Sequence, residues 1–394
     1  MPRHLLCLLC SLFCLCVGTP LVASSSTSTA PVAYIYVTSN YGYPGNTNRI
    51  VGYAADANGK LTEVPGSPFP NSNVSSMAVN GKYLFASSNA NNVESDIDTY
   101  LLANDGSLKR VDTTNVGTFP DSTCASPGAL TLDHSGTTLY SFTYNADCSG
   151  TDDAYQSLNI VKTTGGLKYL SETLPNSNTL YPLTFIGNNV YAYEASCIFD
   201  FDSIEGFKRD SDGSLVQVSI AAPLPAAPED ELYCPSYATA DRTNHLAMDM
   251  VPVVRPGDPA RAGGTGNDQI ASYIVDESNG NLMTNSTAGD MPHTAVVHVK
   301  TMSMAPSGKL LAVGGTKGLQ IFHFNGGAPL TVDTGRLTTF EIDQIFWDND
   351  NHLYAIGRSA GKLFVFTVTP TSAMEAKGSP YTITQPNSLI VQPK

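Results

Sequence analysis

The sequence predicts an all-β fold: a seven-bladed β-propeller of four-stranded antiparallel blades, its ring closed by the C-terminal strand. Three observations predict it. A hairpin phrase recurs seven times, a second hairpin precedes every copy after the first, and one lone strand is left over at each end of the chain. Repeats of hairpins at a period of several tens of residues are the mark of propellers and related arrays.

The clearest copy of the phrase is Phe207 to Val216, FKRDSDGSLV. An aromatic-led strand meets an Asp/Gly turn, and a second strand starts two residues beyond the Gly. Asp or Asn before Gly supplies the positive φ that a tight hairpin needs. The flanking runs are rich in β-branched and aromatic residues, as strands are. Copies recur at 51–64, 98–111, 158–170, 271–283, 319–332 and 363–376, the last two degenerate. Asp210-Ser211-Asp212-Gly213 also matches the opening of a calcium loop. No bidentate Glu follows it and no helical pattern flanks it, so it reads as a turn.

The preceding hairpins fall at 75–87, 129–142, 182–194, 236–250, 301–315 and 343–357. Two hairpins make a four-stranded blade. The first repeat lacks its first strand and opens at AYIYVTS (33–39), whereas NSLIVQPK (387–394) is a first strand without a second. If the last strand completes the first blade, the ring closes without the unpaired gap that would expose sheet edges and apolar faces.

Met1 to about Ala23 has the form of a secretory signal: Arg3, an apolar run of 13 residues from Leu5 to Val17, and Leu21-Val22-Ala23 as a cleavage site. A flexible polar leader (24–31) and one propeller domain (32–394) are expected to follow. Removing Arg3 with the signal leaves 20 basic against 35 acidic residues, a net charge of about −15. So acidic a chain repels phosphate backbones, which argues against nucleic-acid binding. No later segment is apolar enough to cross a membrane. The expectation is an exported monomer, periplasmic or extracellular, with no cofactor and no metal.

Four cysteines remain after the signal: Cys124, Cys148, Cys197 and Cys234. An even number in an oxidising compartment implies disulfides, and three pairings are possible. The repeat register places Cys124 with Cys148, and Cys197 with Cys234, on adjacent loops of one face, and so favours those two bonds.

Tyr34-Ile35-Tyr36-Val37-Thr38-Ser39-Asn40, Val51-Gly52-Tyr53 through Leu61, and Pro65-Gly66-Ser67-Pro68-Phe69 carry a family likeness, with a faded second copy at Lys377-Gly378-Ser379-Pro380-Tyr381. At these residues the chain resembles the lactonase-type, YVTN-repeat β-propellers, which include propeller-type bacterial 6-phosphogluconolactonases and fungal muconate-lactonising enzymes. The resemblance covers nearly all of the mature chain and implies the seven-bladed fold. Ala305, however, stands where the family has a His before the Pro-x-Gly turn. The family's Asn-Arg-Gly step is replaced by Gly314-Gly315-Thr316-Lys317-Gly318, and no Arg-His pair follows Pro127-Gly128.

In a propeller, long loops on the face shared by within-blade and between-blade connections carry function more often than hairpin tips do. Those loops, expected at 40–48, 88–97, 143–157, 195–203 and 251–268 within blades and at 115–128, 222–235 and 286–300 between them, hold candidate residues. A lactonase needs a base and cationic help for the developing oxyanion. His293 with Arg255 is the candidate catalytic pair, and Arg261, Arg358 and His298 are candidate binding residues beside it. Asp200 and Asp202, with Asp152, Asp153 and Glu229 to Glu231, form a candidate acidic mouth. Tyr41 and Tyr43 are candidates for stacking on a sugar. Two functions of different class emerge. The first is an exported propeller that binds a small sugar or lactone ligand, or a protein partner, on a lactonase-like scaffold with an eroded catalytic set. The alternative is a lactone hydrolase of the 6-phosphogluconolactonase kind, acting on a sugar lactone or related acid.

Overall fold

A computed structural model describes residues 30–39, 48–70, 74–88, 96–118, 126–144, 154–175, 182–198, 201–228, 231–254 and 267–394. The expected signal, Tyr41, Tyr43, Cys124, Cys148, Asp152, Asp153, Asp200, Glu229, Asp230, Arg255 and Arg261 lie outside these residues. The described chain forms seven antiparallel sheets, each built on a path of four strands. In the second blade the strands run outward in chain order: Val74–Val79, Tyr83–Ser88, Asp96–Leu102 and Leu108–Asn115. The third to seventh blades repeat this order.

The first blade is the exception, and it closes the ring. Its second strand, Ala33–Ser39, pairs outward with Arg49–Ala55 and inward with the C-terminal strand Pro386–Pro393. Val37 faces Leu389, Tyr36 faces Ile390 and Ile35 faces Val391. The lone strands at the two ends therefore join as the sequence requires.

Successive strand residues point to opposite sides of a blade, and here each side meets a neighbouring blade. Ile35 and Val37 pack against Tyr354 and Ile356 of the seventh blade. Tyr34 and Tyr36 pack against Leu84 and Tyr100 of the second. The buried side chains fall into seven clusters, one for each seam between adjacent blades. An open row of seven blades would have six seams and two bare faces. Burial on both sides also explains why inner strands such as Tyr83–Ser88 and Leu310–Gly315 are buried at every position and read as unbroken apolar runs.

The recurring hairpin phrase is a latch between blades. The tip glycine of one blade lies against the preceding blade, in the left-handed region that glycine adopts freely. Gly106 has φ +84° and its carbonyl accepts the Tyr36 hydroxyl at 2.7 Å. Gly213 and Gly280 accept Tyr140 and Tyr193 in the same way, each at 2.8 Å. At the ring junction Gly59 sits against His352 and Val365 of the seventh blade. Asp212 closes its own tip, accepting from the Ser214 amide at 2.9 Å and hydroxyl at 2.6 Å. The Asp-x-Asp-Gly string is therefore turn chemistry. The two Gly-Ser-Pro-aromatic elements are also alike in structure. Ser67 and Ser379 precede cis prolines, and their hydroxyls accept the amides of Gly52 and Val365 at 3.1 and 2.9 Å.

Cys197 is bonded to Cys234, tying the second strand of the fourth blade to the first strand of the fifth. It closes a segment with a sequence separation of 37, a constraint on the unfolded chain that stabilises by about 3–4 kcal/mol on the chain-entropy model. Two expected loops, 195–203 and 251–268, prove shorter than their sequence suggests. Strands Tyr191–Ile198 and Phe201–Arg209 form one long hairpin, and His245–Val254 extends well into the second interval. Among the described residues no helix is long and apolar enough to cross a membrane.

Candidate functional site

The first strands of the blades leave a central channel of about 880 Å³, lined by residues of all seven blades. Edge strands present unpaired main-chain groups, and side chains stitch the ones here together. Ser76 Oγ accepts the Leu130 amide at 3.0 Å, Thr184 Oγ1 donates to the Ala238 carbonyl at 2.9 Å, and Trp347 Nε1 donates to the Ser303 carbonyl at 3.0 Å. Trp347 is thus core, with its one polar atom satisfied.

At the loop-face mouth this stitching becomes charged. Lys300, at the start of the sixth blade, donates to Glu341 and, at 3.2 Å, to Asp343 Oδ1. The other oxygen of Asp343 accepts the Arg358 amide at 2.8 Å. Glu341 also accepts the Ser359 hydroxyl at 3.0 Å. Arg358 Nε donates to the Asn387 carbonyl at 2.9 Å, and Asn387 Nδ2 reaches the Val74 carbonyl at 2.8 Å. The belt therefore crosses from the sixth blade through the seventh and the closing strand to the second.

Burial alone would lower the Lys300 pKa, but its bonds to Glu341 and Asp343 prevail and hold it above its usual value. Lys300 and Ser359 hold the Glu341 carboxyl below its usual range. Both groups are fixed charges at neutral pH rather than proton carriers. The lining contains neither histidine nor cysteine among the described residues.

Of the residues expected from sequence, Arg358 lines this channel. His293 is exposed over the third strand of the fifth blade, bridging Gln269, with Nδ1 3.4 Å from the Asn267 carbonyl. His298 is exposed with φ 48° beside the entry to the sixth blade. Neither histidine lines the channel with Arg358. The Asp202 main chain pairs with Cys197 in the long hairpin. No three His, Cys, Asp or Glu gather as metal ligands among the described residues. Sequence reading missed Lys300, Glu341, Asp343 and Asn387, which no local pattern joins.

A pair of buried acids lies away from the channel, at the seam of the third and fourth blades. Glu194 and Glu205 face one another across adjacent strands. Burial, then repulsion from Glu205, pushes the Glu194 carboxyl up to about 8, and the Tyr155 hydroxyl offsets this only in part. A carboxyl raised on folding binds more protons in the native state, so stability falls as pH rises between the unfolded and folded values. Unfolding titrations should therefore show stability declining from about pH 4.5 to about pH 8. Glu194→Gln should flatten that slope and be the more stable chain at the alkaline end.

No protein-family model and no curated protein matches the chain. Solved structures do. A protein of Bacteroides fragilis provisionally named a 6-phosphogluconolactonase superposes with a TM-score of 0.64 at 13% identity, over 93% of this chain and 99% of that one. A Bacteroides uniformis protein of the same provisional name gives 0.65 at 14%, over 92% and 99%. The periplasmic gluconolactonase of Pseudomonas aeruginosa gives 0.50 at 14%, over 91% and 85%. The shared property is the fold. The chain is lactonase-like in that sense alone, since sites and not folds carry activity.

Proposed function

We propose that this lactonase-like propeller is an exported binding protein whose channel mouth takes a small hydroxylated carboxylic acid, without hydrolysing lactones. The observation that carries this is Arg358. Its Nε is anchored on the closing strand, while Nη1 and Nη2 have no partner among the described residues at the channel wall. A guanidinium held in this way presents two parallel donors, the geometry that suits a carboxylate. Ser75, Ser76 and Thr301 line the same channel and offer hydroxyls to a polyol. Lactone hydrolysis needs a group that takes a proton near neutral pH, and Lys300 and Glu341 are both driven away from that range. Export rests on the signal expected over 1–23 and on the Cys197–Cys234 bond.

The second reading, a lactone hydrolase, is favoured by the gluconolactonase name of a structural neighbour. Calorimetry with gluconate and pH-stat assays on gluconolactone separate the two. Binding without turnover is expected, and Arg358→Ala should weaken binding at least about tenfold, the worth of one charged hydrogen-bond pair. Wild-type turnover that disappears in His293→Ala would establish the hydrolase instead.

A further inference from the structure

The seam between the fifth and sixth blades holds a polar cluster that the channel does not use. Asp249 stands in an otherwise apolar strand and pairs with Ile270. Ile270 and Ala247 face the sixth blade. Alternation puts Asp249, two residues from Ala247, and Asp268, two residues from Ile270, on that same side. Asp249 is 0% and Asp268 1% exposed. Asp268 Oδ2 accepts the Val299 amide at 2.6 Å, but Oδ1 and both oxygens of Asp249 have no donor among the described residues. The Thr294 amide donates to the Asp268 carbonyl at 2.8 Å, and the Thr294 hydroxyl, 0% exposed, is also unbonded.

Three residues thus bring four buried, unbonded oxygens to one seam. Native interiors almost never leave such groups unmatched, and each one calls for an unseen water or ion. Two carboxylates side by side, without a Lys or Arg bonded to either, call for positive charge in particular. We propose that Asp249, Asp268 and Thr294 form a buried structural site for one calcium-class divalent cation. Two carboxylates neutralise its charge. An all-oxygen donor set without His or Cys suits a hard cation of the calcium class and not zinc. The bound ion would fasten the third strand of the fifth blade to the 294–299 loop that enters the sixth.

The test uses the full chain, exported by its host and purified without chelator. Elemental analysis should find about one calcium per chain. Dialysis against EDTA should lower the melting temperature by about 5 °C, and about 1 mM CaCl2 should restore it. Asp249→Asn should lose both the ion and the response. Should that variant not fold, Thr294→Val and calcium-displaceable terbium luminescence on the wild type report on the same site. A metal-free wild type whose melting is unmoved by calcium and by magnesium overturns the proposal.

Discussion

A chain truncated after Gln385 should not fold. The removed strand carries Leu389, Ile390 and Val391, at 1, 8 and 5% exposure, and pairs along the whole of Ala33–Ser39. Burying a large aliphatic side chain is worth about 1.5–3 kcal/mol, so these three alone account for roughly 5–9 kcal/mol. That is comparable with the entire stability of a typical domain, about 5–15 kcal/mol. Truncation also bares an inner edge of the first blade and unpacks the seams it shares with the second and seventh blades. The truncated protein should be insoluble or lack a cooperative melt by circular dichroism. Leu389→Asp should fail almost as badly. Even partial folding would not rescue the mouth, since Asn387, which anchors Arg358, is lost with the strand.

Gly106→Ala should be among the most damaging single-methyl changes in the hairpin tips. Gly106 has φ +84°, and a Cβ there would lie 2.6 Å from two carbons of the Tyr34 ring and 2.7 Å from Val64. The left-handed backbone costs an alanine about 1–2 kcal/mol and overpacking about 1–3 more. A total near 2–5 kcal/mol should lower the melting temperature by roughly 3–7 °C in a chain of this size. Gly335→Ala is the control. Nothing lies within 4 Å of its would-be Cβ, so its melting should stay within about 1 °C of wild type. Equal effects in the two variants would mean that the tips are ordinary turns and do not latch the blades.

The turns and the ring were legible in the sequence, whereas the contact of each tip with the preceding blade was not. An Asp or Asn immediately or shortly before a Gly writes a turn in most copies, and repetition of the phrase counts the blades. The two unpaired strands, 33–39 and 387–394, announced closure by what each lacked. Loop lengths were harder to read. Neither Gly nor Pro interrupts CIFDFDSI (197–204), so the fourth-blade hairpin runs on through an interval expected to be loop. The mouth was legible only at Arg358, for a different reason. Lys300, Glu341, Arg358 and Asn387 come from three blades, two of them from strands and two from the connections between strands, and no local pattern joins them. The buried acids did leave a trace. Asp249 in HLAMDMVPVV and Glu194 in YAYEASCI each place a carboxylate in an apolar strand, which is costly unless the seam has a use for it.

Everything about the mouth depends on the closing strand being integral to the first blade. Hydrogen exchange resolved at the peptides covering 33–39 and 386–393 tests this most directly. If the ring is closed as described, both peptides exchange together and only through global unfolding, because each protects the other through the pairing of Ile35, Tyr36 and Val37 with Val391, Ile390 and Leu389. A C-terminal peptide that exchanges within seconds while 33–39 stays protected would contradict the account.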